Sequence, residues 1–208
     1  MSSVAETAVH EEKHSDVIGA KMGMWLFLFT ELLLFGGMFI LYAAYRAKHQ
    51  HEFFLSSAEL NMPIGTLNTA LLLTSSLTVA LSIEALRRGS RNLSKLFLLA
   101  TIVMGFGFLV NKYFEWSAKI HHGIYPNSPE LLKASAGEQL FFSLYYVMTG
   151  LHGLHVLVGV LVLGWIYTLI QKNPTDPGNF IKLENGGLYW HLVDVIWIFL
   201  FPLFYLIS

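Results

Sequence analysis

The sequence predicts an all-α, polytopic membrane protein: a bundle of five transmembrane helices with its amino terminus cytoplasmic and its carboxyl terminus outside. Three observations carry that prediction. Of 208 residues, 54% are hydrophobic and 13% charged, against about 25% charged in soluble domains. Five apolar stretches are each long enough to cross about 30 Å of hydrocarbon at a rise of about 1.5 Å per residue. Lys and Arg concentrate in the gaps between those stretches, unequally on alternate sides.

Residues 1–21, "MSSVAETAVHEEKHSDVIGAK", are polar and mixed in charge, and read as a cytoplasmic tail. They lack the basic start of a signal peptide, and the run that follows is too long for a cleaved signal core. Residues 22–208 then form one membrane domain, with no internal repeat. Its spans are predicted at 22–45, 65–86, 93–114, 139–170 and 188–207; the fourth exceeds the required length and is expected to tilt or to project into water. The links are 46–64, a short turn holding "RRGSRN", a Pro- and Gly-bearing loop over 115–138, and "QKNPTDPGNFIKLENG". All carry the turn formers expected of helix connections.

Orientation follows from the basic residues. Lys13, Lys21, Arg87, Arg88, Arg91, Lys95, Lys172 and Lys182 fall on the side of the tail, and Arg46, Lys48, Lys112, Lys119 and Lys133 on the other. Eight against five places the tail side in the cytoplasm. The formal net charge of −1 gives no reason to expect a nucleic-acid partner, and the absence of cysteine excludes disulfides, thiolate metal sites and Fe–S ligation.

Ionisable residues inside the spans are costly and so mark candidate sites. Glu31 lies about ten residues inside Lys21, roughly 15 Å into the membrane by helical rise. It reads either as a carboxyl bonded to a neighbouring helix or as a proton-exchanging or lipid-contacting group. In the fourth span, His152 and His155 are three apart and share a helix face. Gly150, Gly153 and Gly159 accompany them, which favours close helix packing with interhelical hydrogen bonds over metal ligation. His191 and Asp194 repeat the spacing in the last span, between Trp190 and Trp197. A face of His191, Asp194, Ile198 and Phe201 is expected to look toward protein, with partners on the first and fourth spans or on a neighbouring subunit. Glu31, His152, His155, His191 and Asp194 are thus expected to converge on shared helix contacts. Near the end of the third span, Glu115 and Lys112 read as a snorkelling or locally paired couple and Trp116 as part of an interfacial belt. His121 and His122 read as solvated. Gly36 with Gly37, and Gly105 with Gly107, read as close-packing sites.

The stretches "FTELLLFGGMF", "LNTALLLTSSLTVALS", "FEW", "TGLHGLHVLVG" and "YWHLVDVIWIFLF", in this order, resemble subunit III of the haem-copper terminal oxidases, in its five-span bacterial form. The resemblance covers most of the chain from Trp25 onward. It implies a non-catalytic accessory subunit of a proton-pumping oxidase that reduces O₂ to water, located in the bacterial inner membrane. Haem and copper would sit in partner subunits and none in this chain. The implied partners are catalytic subunit I, subunit II, further respiratory-complex subunits and bound phospholipid. By motif position the resemblance assigns Glu31, Glu115, His152, His155, His191 and Asp194 structural or lipid-linked roles, with no catalytic or metal-binding residue. The Thr30–Glu31 pair looks more like the cytochrome c oxidase branch. Subunit III of a quinol oxidase and the accessory protein found with nitric oxide reductases are similar alternatives. A proton-coupled transporter and a membrane metalloenzyme are the competing classes outside the family; the first lacks the expected inverted repeats and the second lacks enough polar groups for an ordered outer ligand shell.

Overall fold

A computed structural model describes the backbone of residues 2–172 and 178–207, and the side chains of 18–172, 178 and 180–207. Residues 173–177, in the first half of the fourth predicted link, and the side chains of the tail before residue 18 lie outside the described residues. The elements are α1 (Ser2–Lys48), α2 (Gln50–Ala58), α3 (Met62–Arg87), α4 (Arg91–His121), a 3₁₀ turn (Leu131–Lys133), α5 (Ala136–Lys172) and α6 (Gly178–Tyr205). Among the described residues, five helices are long and apolar enough to span a membrane: Ile18–Lys48, Met62–Arg87, Arg91–His121, Ala136–Lys172 and Phe180–Tyr205.

All five predicted spans are present; the first four helices run past their predicted bounds at both ends, and α6 starts well before its predicted start but ends at Tyr205, short of the predicted 207. Hydropathy marks only the part that meets hydrocarbon, whereas backbone hydrogen bonding carries a helix on into the polar border. α6 therefore starts at Gly178 and absorbs most of a predicted link. The first predicted link holds a short helix of its own, α2, which buries Phe53, Ser56 and Ser57.

Helices α3, α4, α5 and α6 form a ring in which each packs against the next and α6 closes back onto α3. Neighbours are antiparallel: Ser82 meets Ser94 at one end of the α3–α4 pair, and Asn68 meets Asn111 toward the other. α1 lies outside the ring on α5 and α6. It runs parallel to α6, with Phe27 beside Tyr189, Phe39 beside Phe199 and Tyr42 beside Phe204.

The ring is wound like a coiled coil. Buried positions on α4 are Ser94, Leu98, Thr101, Gly105, Phe108, Lys112, Glu115 and Lys119, alternating steps of four and three. On α3, Gly65, Asn68, Leu72, Ser75, Val79 and Ser82 do the same. A buried period of 3.5 residues on helices of 3.6 per turn requires a left-handed supercoil. Small and hydroxyl residues fill this seam because lipid supplies no hydrophobic drive between helices, and close backbone approach must replace it. Ser82 Oγ bonds the carbonyl of Ser94 at 2.9 Å, and Thr78 Oγ1 meets Thr101 Oγ1 at 2.8 Å.

The boundaries have local causes. Asn61 caps α3 by accepting from the Ile64 N–H at 3.2 Å, with Pro63 in the first turn where its missing donor costs nothing. Gly89 (φ 78°) and Gly123 (φ 74°) end α3 and α4 in the left-handed region. The next residues' N–H groups reach back to the Ala85 and Lys119 carbonyls, the Schellman pattern.

Candidate functional site

At the centre of the ring stands Trp190, fully buried. Its Nε1 donates to Ser75 Oγ of α3 at 2.9 Å. Its ring lies against the backbones of Gly105 on α4 and Gly159 on α5, where an added Cβ would come to 2.5 and 2.8 Å of ring carbons. One side chain of α6 thus touches all three other ring helices. Gly105, Gly150 and Gly159 are close-packing positions, Gly150 against Trp116, whereas a Cβ on Gly36, Gly37 or Gly153 would meet nothing within 4 Å.

The five expected polar residues occupy three places, not one shared cluster. Glu31 Oε2 lies 2.8 Å from His155 Nε2, joining α1 to α5. His155 Nδ1 is 2.8 Å from the Leu151 carbonyl of the previous turn. The Tyr189 hydroxyl of α6 donates to the His155 carbonyl at 3.0 Å. The pair is only 13–15% exposed.

His152, on the same helix, points elsewhere. It is fully buried, stacked on Trp197 with centroids 5.2 Å apart and edge-on to Phe108 at 5.5 Å. Neither ring nitrogen has a hydrogen-bond partner among the described residues. The spacing of three is compatible with divergence because α5 is wrapped by α1 on one flank and by α4 and α6 on another.

His191 and Asp194 form the third place. His191 Nδ1 is 2.7 Å from Ser76 Oγ. Asp194 is 3% exposed, and its carboxyl lies near the same Ser76 hydroxyl. The hydroxyl pairs with His191, and neither Asp194 oxygen has a hydrogen-bond partner among the described residues. Within the chain, His191 thus finds its partner on α3 and not on the first or fourth span. Ile198, expected to face protein, is 44% exposed: at about 100° per residue it lies within about 20° of His191, on the only partly covered side of α6, whereas Asp194, about 60° round, is buried.

Glu115 belongs to a separate network. Lys112 Nζ donates to Glu115 Oε2 at 2.9 Å, to the Tyr205 hydroxyl at 2.7 Å and to the Tyr145 hydroxyl at 3.2 Å; the Tyr205 hydroxyl donates to Glu115 Oε1 at 2.5 Å. Local pairing of Lys112 and Glu115 is as expected, but the pair is buried and does not snorkel. The ammonium also lies 5.0 to 5.3 Å from the rings of Tyr145, Trp197 and Tyr205, within cation–π range. Lys119, one turn beyond Glu115, donates to the Glu59 carbonyl at 3.1 Å and so ties α4 to the end of α2. His121 and His122 are exposed.

Sequence reasoning missed the polar residues of α3, namely Asn68, Thr69, Ser75 and Ser76, and the two tyrosines around Lys112. A signal for the first set was present: Asn68, Ser75 and Ser82 recur every seven residues. Among the described residues no three His, Asp or Glu groups converge in a metal-holding arrangement. What the polar groups do chemically is to tie helices together: Glu31 links α1 to α5, Ser76 and Ser75 link α3 to α6, and Lys112 links α4 to α5 and α6.

Known proteins place this arrangement. The family model described as cytochrome c oxidase subunit III matches residues 2–208. Cytochrome c oxidase subunit 3 of Bacillus sp. (strain PS3) is 35% identical over 191 residues, covering 90% of this chain and 85% of the relative. Quinol oxidase subunit 3 of Bacillus spizizenii is 30% identical over 187 residues, covering 90% and 86%. Heme-copper oxidase subunit I+III of Aeropyrum pernix is 29% identical over 195 residues, which cover 90% of this chain and 22% of that longer one. With its five apolar helices and its whole length matched, the chain is a multi-pass membrane protein of the cytochrome c oxidase subunit III family and belongs to a haem-copper oxidase complex with a catalytic subunit I.

Proposed function

We propose that this chain is the non-catalytic third subunit of a proton-pumping, cytochrome c-oxidising haem-copper oxidase in a bacterial inner membrane. In that role it packs on the catalytic subunit, holds phospholipid and supports proton uptake, while haem and copper reside in subunits I and II. The tail side of the bundle faces the cytoplasm, as the excess of Lys and Arg there favours. The single observation that carries the reading is the use of the intramembrane polar residues. Glu31, His155 and His191 are engaged in bonds between helices or with the adjoining turn, and Lys112 with Glu115 is closed off by two tyrosines. Such side chains assemble a scaffold, and among the described residues no three His, Asp or Glu groups converge on a common point.

Cytochrome c is favoured over quinol as the donor by the Thr30–Glu31 pair and by the higher identity to the Bacillus sp. cytochrome c oxidase relative. Purification in mild detergent tests both levels. The expected product is a complex with a haem-bearing subunit that reduces O₂ with reduced cytochrome c. Turnover with quinol alone would move the chain to the quinol branch, and recovery as a haem-free homo-oligomer would overturn the accessory role.

A further inference from the structure

We propose that the groove between α1 and α6 that holds His191 seats a membrane-spanning helix of the catalytic subunit, whose hydroxyl or amide side chain bonds to His191 Nε2. The proposal rests on the accessory-subunit reading and adds the face through which the subunits meet. α1 and α6 flank an open groove of about 340 Å³, walled by Trp25, Phe29 and Leu32 on one side and Leu192 and Val195 on the other. His191 is the polar residue of that lining. It stands eleven residues into the Phe180–Tyr205 span, or about 16 Å at helical rise, close to the middle of a hydrocarbon layer about 30 Å thick. Nδ1 is held by Ser76, and Nε2 has no hydrogen-bond partner among the described residues.

Acyl chains offer neither donor nor acceptor, so an imidazole left partly uncovered at this depth needs a polar group brought by another molecule. The Ser76 hydroxyl can donate to Nδ1 or accept from it, so both tautomers are open to His191, and a hydroxyl or amide on the incoming helix answers either. The walls suit a helix as well. Trp25, Phe29 and Leu32 follow a spacing of four and three along α1 and are 54–62% exposed, and only 11% of that span is buried against the rest of the chain. A peripheral helix so sparsely covered, parallel to α6 and separated from it by a groove, presents two ridges between which a third helix packs.

Photo-crosslinking in the intact complex tests the proposal. A photoreactive residue is placed at Leu32 or Val195 in the groove, and at Phe106 on α4 or Leu161 on α5 as exposed references. The expected result is a covalent adduct with the haem-bearing subunit from the groove positions, several-fold more abundant than from the references. Adducts at Leu32 and Val195 with lipid or with a second copy of this chain, while Phe106 or Leu161 captures the haem-bearing subunit, would overturn the groove and leave the accessory role standing. Failure of any haem-bearing subunit to co-purify would overturn both. As a second measure, His191→Phe should weaken retention of the subunit about 3- to 18-fold more than Ser76→Ala, which removes only the internal bond, and His191→Gln should restore most of the difference. Equal losses for His191→Phe and Ser76→Ala would likewise refute the bond to Nε2.

Discussion

Replacing Gly105 with alanine puts a methyl group where the structure leaves no room. The new carbon would lie 2.5 Å from Trp190 Cη2, 2.9 Å from Val160 Cγ2 and 3.1 Å from Trp190 Cζ2. Carbon atoms prefer about 3.5 to 4.0 Å, so the indole must retreat by roughly 1 Å. It has nowhere to go: the other edge of the ring already meets the Gly159 backbone, and Nε1 is tied to Ser75 at 2.9 Å. Overpacking of this sort costs about 1 to 3 kcal/mol, enough to outweigh the roughly 1 kcal/mol that alanine gains over glycine in a helix. Gly107→Ala is the matched control on the same helix, because its nearest neighbour would be 3.8 Å away. The assay is retention of the subunit in the purified complex as detergent is raised or temperature increased. Gly105→Ala should shift the retention equilibrium about 5- to 160-fold, and Gly107→Ala should be neutral or mildly stabilising. Trp190→Phe shrinks the ring that the methyl strikes, so the double substitution should cost less than the sum of the singles by about 1 kcal/mol or more. Gly105→Ala behaving like Gly107→Ala would refute the account of Trp190 as the common contact of the ring.

Three further outcomes are expected. Lys112→Met leaves Glu115 as a buried carboxylate without its cation and should destabilise the subunit by about 3 to 5 kcal/mol, whereas Lys112→Met with Glu115→Leu should recover much of that loss; equal retention of single and double variants in a thermal series would count against a buried ion pair. Glu31→Gln keeps a polar partner for His155 and should cost under about 1 kcal/mol, while Glu31→Leu should cost up to about 1.7 kcal/mol. Detergent titration separates the two, and electron-transfer rates should be unchanged in either as long as the complex stays whole. Tyr42→Phe removes the hydroxyl that donates to the Leu203 carbonyl and should loosen α1 from the end of α6 by about 1 kcal/mol, read as faster proteolysis of the α1–α2 link.

How far the fold was legible depended on which forces were local. The spans were readable because the bilayer imposes a length and a composition on each one separately, and Leu93 or Gly65 announces its helix without reference to any partner. Helix ends were not, since hydrogen bonding carries α6 back to Gly178 through residues too polar to look like membrane. The site was half legible. Glu31, His155, His191 and Asp194 stood out because each is individually expensive in hydrocarbon, but expense does not name a partner. His152 and His155 have the same residue type and share a predicted face, yet one bonds α1 and the other stacks on Trp197. Which neighbour each meets is settled by the ring order of the helices, a property no single span encodes. Ser75 and Ser76 escaped notice because a hydroxyl in a membrane helix can bond its own backbone and costs little; only their pairing with Trp190 and His191 distinguishes them.

The bond between Glu31 and His155 spans 124 positions of the chain, and this sets the order in which the molecule is built. α1 is made first, and the helices it rests on are made last. At about 5 to 20 residues per second, roughly 6 to 25 s separate synthesis of the carboxyl from synthesis of its imidazole. During that interval α3 and α4 have already emerged and can zip their own seam, while α1 waits in the bilayer with Glu31 unanswered. Of the five spans, the earliest made therefore waits longest for its partner. Any factor that shelters a lone carboxyl in lipid during translation would act on this chain at α1, before the rest of the subunit exists.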